Sequence, residues 1–156
     1  MGRRMEMSEA FRTSVVAFGA IAAGFTWLSA RTASIAPSSP QRLVAELRLA
    51  QVAALLLTLI AGAYVGLAVV RENDPGVGLD IALAVGFMIA AAWTMMRDPR
   101  QALTILALAF AAHAVLDVAH RPGILPDSLA PRWYSISCAI YDAYIGALCY
   151  LPILRR

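Results

Sequence analysis

Five apolar runs, at about 13–30, 43–70, 78–96, 101–120 and 133–154, constrain this chain more than any other feature. Each is near the roughly 20 residues, at 1.5 Å per residue, that carry a helix across a hydrocarbon core about 30 Å thick. Inside that core every backbone N–H and C=O must find its partner within the segment, and a helix does this. The breaks between runs are RTASIAPSSPQR, RENDPG, RDPR and RPGILPDSLAPR. Their Pro, Gly, Ser and charged residues are turn and loop formers.

The predicted fold is therefore all-α: one transmembrane domain over residues 1–156, a polytopic integral membrane bundle of five helices. The number falls to four if the first run is a secretory signal, for which Arg3 and Arg4 ahead of it argue. Glu6 and Glu9 in the same leader argue for a retained helix. Composition agrees with a membrane protein. Hydrophobic residues are 60% of the chain and charged ones 15%, where a soluble domain carries about a quarter charged.

Every basic residue is Arg, a usage that suits a GC-rich genome. The arginines stand singly or in pairs at the run ends, with no interleaved aromatics, so no nucleic-acid partner is expected. They are also spread almost evenly between the two sides, which leaves orientation undetermined by the positive-inside rule. In architecture alone the outline resembles small four- or five-helix bacterial membrane proteins. That resemblance implies a multi-pass protein of the cell inner membrane, with membrane lipids as its surroundings. Five short helices offer little interior, which points to a homo-oligomer or a partner membrane subunit.

Some pairs of small residues have the spacing that lets helices approach closely. They are Gly19 with Ala23, Ala20 with Gly24, and the GxxxG of Gly62 and Gly66. For the last, packing within the chain is the expected role and a dimer contact the alternative. Cys138 and Cys149 lie three turns apart on one helix, about 16 Å, too far to form a disulfide with each other.

Chemistry concentrates in His113-Ala-Val-Leu-Asp117-Val-Ala-His120, which holds both histidines. Positions i, i+4 and i+7 share one helical face. A hairpin of the fourth and fifth helices would put His113 and Asp142 at one depth, about 12–14 Å from the loop between them. Tyr64 and Asp80 fall in the same half of the bilayer section. For Asp80 the bland reading is an anion at a helix N-terminus. On the fifth helix Ser135, Cys138, Asp142 and Cys149 share a face, flanked by Tyr134, Tyr141 and Tyr144. The other half holds only Glu46, expected at the interface with Arg48, and Gln51.

Three readings follow. In the first, the His and Asp side chains bond across the bundle and fix its packing, as in a non-catalytic accessory subunit of a larger complex. In the second they hold a divalent metal such as zinc, with His113, Asp117, His120, Asp142 and Cys138 as candidate ligands. In the third they form a metal-free pocket for an amphiphilic molecule, or a proton relay. There His113 pairs with Asp142, or alternatively with Asp117, as the acid/base dyad, and Tyr64, Asp80, Tyr141 and Tyr144 are ligand-binding residues. The spacing does not match the His-Glu-x-x-His metalloprotease helix. Two histidines are too few for the multi-histidine di-iron oxygenases. His113 and His120 share a face and cannot both ligate one haem within a chain. The expected pocket lies between the fourth and fifth helices and opens toward the 121–132 loop. His113 and Asp142 are central to it, Asp117 orients or co-ligates, and His120 stands at the mouth.

Overall fold

The computed structural model describes residues 2–71, 75–120, 124–125 and 132–155; the side chains of residues 2–11 and of Ser14 are outside the description. Five helices account for nearly all of it: α1 (Gly2–Ser34), α2 (Pro40–Val70), α3 (Val77–Thr94), α4 (Pro99–Ala119) and α5 (Arg132–Leu154). All five contain a stretch long and apolar enough to cross a membrane. This is a multi-pass membrane protein with an all-α bundle. Among the described residues there is no strand, only an isolated bridge between His120 and Leu125. Residues 72–74, 121–123 and 126–131 lie outside the description. The expected opening of a pocket toward the 121–132 loop falls largely on them.

All the helices except α3 are longer than the apolar runs, and local chemistry explains where they start. The break expected over 31–42 shrinks to 35–39. Ser39 accepts a hydrogen bond from the Gln41 N–H, and Pro40 takes the first helical position. Asp98 caps Gln101 in the same way, with Pro99 next. Proline suits that position because its fixed φ is helical and its missing N–H would be unpaired there anyway. Entry to α3 goes through Gly76 at φ 93°, a left-handed conformation open to glycine.

Two hairpins, α2–α3 and α4–α5, pack through α2 against α4, and α1 closes over α5 and the edge of α2. The interior mixes small side chains with large ones, Leu49, Leu57, Leu103, Leu106, Phe110 and Ile145 being fully buried. Ala50, Ala53, Ala54, Ala61, Ala91 and Ala102 are buried, while Leu108, Val115 and Ile140 are about two-thirds exposed. In lipid, large aliphatic groups gain nothing by turning inward, and small ones let backbones approach. The tightest of the described glycines is Gly146 on α5. A Cβ there would meet the Ala107 carbonyl oxygen at 3.2 Å and Phe110 Cβ at 3.3 Å. The other glycine motifs are looser. Gly62 packs within the chain, on Met88 at 3.6 Å, whereas Gly19, Gly24 and Gly66 face open space.

One end of the bundle is clamped by buried polar groups. Pro152 has no N–H to give the Leu148 carbonyl, and Ser29 of α1 donates to that oxygen at 2.6 Å. Arg42 of α2 donates to the carbonyls of Thr32, Ile35 and Pro152, so one guanidinium serves the C-terminal ends of α1 and α5. Its Nε donates to Glu46 at 2.7 Å, and Arg100 of α4 reaches the other oxygen of Glu46 at 3.2 Å. This corrects the expectation for Glu46. It is enclosed by the bundle, 1% exposed, because α1, α4 and α5 cover that face of α2. Arg48 and Gln51 are exposed.

Candidate functional site

The second polar cluster lies at the opposite end, where α2 and α4 finish and α3 and α5 begin. His113 of α4 places Nδ1 2.7 Å from Asp142 Oδ2 on α5 and 3.5 Å from Asp117 Oδ2 one turn away on its own helix. Tyr64 of α2 donates its hydroxyl proton to Asp117 Oδ1. Three helices thus meet through side chains that are all buried. The His113 ring is held edge-on by Tyr64, centroids 5.3 Å apart, and by Phe87 of α3 at 4.8 Å.

Beside it stands a second pair. His120 Nδ1 faces the Leu116 carbonyl at 2.8 Å, and Nε2 faces Asp80 Oδ1 at 3.0 Å. A carbonyl only accepts, so Nδ1 carries a hydrogen, and Nε2 and Asp80 share the next proton. Asp80 is thus more than an anion at a helix N-terminus; its carboxylate is the cross-helix partner of the histidine that ends α4.

Three groups can approach a common ion. His113, Asp117 and Asp142 each offer one ligand atom, and these atoms lie within 4.8 Å of one another. Donors bound tetrahedrally at about 2.0–2.2 Å from zinc are roughly 3.4 Å apart. Side-chain shifts of about an ångström would close the set. Asp117 Oδ2 and Asp142 Oδ1 are buried with no hydrogen-bond partner. Buried carboxylate oxygens of this kind are uncommon and call for a cation or a proton.

A cavity of about 20 Å³ adjoins the set, lined in part by Tyr64, Asp80, His113, Asp117 and His120; it lies among α2, α3 and α4, which corrects the expected position between α4 and α5. That volume admits one water-sized particle. Sites for organic ligands run to about 300–1,000 Å³. The polar site is therefore scaled to an ion or a water molecule rather than to a lipid or a quinone.

The remaining sequence candidates are not members of the three-residue group. Cys138 is half-buried on α5 and outside the three-residue group. His120 is likewise outside that group, paired with Asp80. Tyr141 packs edge-on against Phe18 of α1, centroids 5.5 Å apart, and Tyr144 shares a 2.6 Å hydrogen bond with Thr26 of α1. Both tyrosines face α1. Phe87, an apolar residue in an apolar run, carried no sequence signal; only the packing of α3 brings it onto His113. Comparison with models of protein families, with curated proteins and with solved structures gives no match.

Proposed function

We propose that this membrane protein binds one divalent metal ion inside the bilayer, through His113, Asp117 and Asp142, with zinc the candidate for an imidazole-plus-carboxylate set. The observation that carries this reading is the pair of orphaned carboxylate oxygens, Asp117 Oδ2 and Asp142 Oδ1, beside one histidine. Two ionised carboxylates and a neutral imidazole leave two negative charges, which one divalent cation balances. Tyr64 would hold Asp117 by its other oxygen, as outer-shell partners of metal ligands do. Three protein ligands leave a fourth position, and the adjacent cavity has room for a water there. A metal so placed would lower the pKa of that water and make it a nucleophile.

Packing by itself is the weaker reading on energetic grounds. One Asp at a membrane helix centre costs about 2.5–3.5 kcal/mol on insertion scales. A cross-helix hydrogen bond in a bilayer returns about 0.6, at most about 1.7 kcal/mol. The 2.7 Å bond between His113 and Asp142 favours a structural role as the second reading, that of an accessory subunit. The test is elemental analysis of the purified full chain, wild type beside Asp142→Asn. The metal reading expects near-stoichiometric zinc in the wild type and its loss in the variant. A metal-free wild type that also fails to retain added zinc, manganese or iron(II) would defeat it.

A further inference from the structure

The groove between α2 and α3 lies apart from both polar clusters. It has a volume of about 330 Å³ and is lined by Ala54, Leu55, Thr58, Met88, Ala91, Ala92 and Met95. It runs toward the end of the bundle that holds Arg42, Glu46 and Arg100. By place in the chain, that end has seven arginines against two carboxylates, and the other end six against eight. Both carboxylates are engaged. Glu46 is taken by Arg42 and Arg100, and Asp98 caps α4.

Two arginines follow the groove's lining toward that end by their place on α2 and after α3. Arg97 follows Met95 by two residues and lies over the Trp93 ring at 4.0 Å, yet its buried Nε has no hydrogen-bond partner. Arg48 is exposed on α2 and stands seven residues before Leu55, on the same face and about 10 Å nearer the membrane surface. Neither has a carboxylate partner among the described residues. Tryptophan with a stacked arginine marks the headgroup level. An apolar groove leading to unpaired guanidinium groups at that level fits an amphiphile with an anionic head.

We propose that the α2–α3 groove holds one acyl chain of an anionic phospholipid whose phosphate is bound by Arg48 and Arg97. The proposal is independent of the metal site, which lies at the other end of the bundle. Guanidinium forks match phosphate oxygens in geometry as well as charge.

Native mass spectrometry of the full chain tests it, after incubation with phosphatidylglycerol or phosphatidylcholine of identical acyl chains. The wild type should retain phosphatidylglycerol about tenfold better, from two arginines near the surface. Arg48→Gln with Arg97→Gln should remove the preference. Ala92→Leu, at an exposed position, should weaken retention by filling the groove. Arg155→Gln, at the same end but away from the groove, should leave it unchanged. Equal retention of the two lipids by the wild type would overturn the proposal. So would unchanged retention in the double variant or in Ala92→Leu, and so would an equal loss in Arg155→Gln, which would mark a diffuse charge effect.

Discussion

His113 and Asp142 are 29 residues apart in the chain and 2.7 Å apart in the bundle, joined across the α4–α5 hairpin. The same hairpin is tightly packed at Gly146, one turn beyond Asp142, where an added Cβ would meet Ala107 and Phe110 of α4. Contact at Gly146 and polar pairing at Asp142 therefore depend on one helix–helix distance. The His113, Asp117 and Asp142 set inherits its geometry from that distance, and from the Tyr64 hydroxyl of α2, which holds Asp117 by its other oxygen.

Removing an outer-shell partner should weaken the site without dismantling it. Tyr64→Phe deletes only the hydroxyl that bonds Asp117. Zinc affinity should fall about 10–100-fold, the usual effect of losing a second-shell hydrogen bond. Competition with a fluorescent chelator measures it. An unchanged affinity would remove Tyr64 from the site.

Metal binding should also appear as stability. A ligand that binds only the folded state, present at about 100 times its Kd, stabilises by about 2.7 kcal/mol. Added zinc should raise the thermal midpoint of the stripped protein in detergent and leave Asp142→Asn unmoved. An equal rise in both would place the ion elsewhere.

Gly146→Ala should destabilise the bundle by about 1–3 kcal/mol, the usual range for overpacking. Its new Cβ meets a backbone oxygen and a Cβ that cannot rotate away. Gly66→Ala, with nothing near it, is the control and should be close to neutral. Both are read by denaturant or thermal unfolding in one detergent. Equal effects would refute the assignment of close packing to Gly146.

Arg42→Met should be among the most damaging single changes at the opposite end, by about 3 kcal/mol, because it leaves buried Glu46 with only the half-exposed Arg100 as its cation. It also orphans the carbonyls of Thr32, Ile35 and Pro152. Adding Glu46→Leu should recover part of the loss, since the buried and now under-compensated charge is gone. A double variant no better than the single one would show that the carbonyl contacts, not the ion pair, set the penalty.

Much of the site was legible because it is local. Helical periodicity alone puts His113, Asp117 and His120 on one stripe, and counting residues from a shared loop puts His113 level with Asp142. The partners on other helices were less legible. Tyr64 and Asp80 could be assigned a depth but not a contact. Nothing in an apolar run distinguishes Phe87 from its neighbours. Tyr141 and Tyr144, close to Asp142 in sequence, turn toward α1 because a helix spreads adjacent residues around its whole circumference. The Arg42–Glu46 pair has the i, i+4 spacing of an ordinary surface pair, and its burial depends on three other helices.

By itself the sequence determined the membrane setting and the five apolar runs that become the helices. Run length and hydropathy act within a few turns of chain and need no tertiary partner. Only the tertiary structure decided which helices meet, which glycine is tight, and which carboxylate oxygens are left without partners. Helices that are apolar on every side carry little periodic signal for rotation about their axes. In lipid no hydrophobic force turns one face inward, so packing of small residues and a few cross-helix hydrogen bonds sets the arrangement.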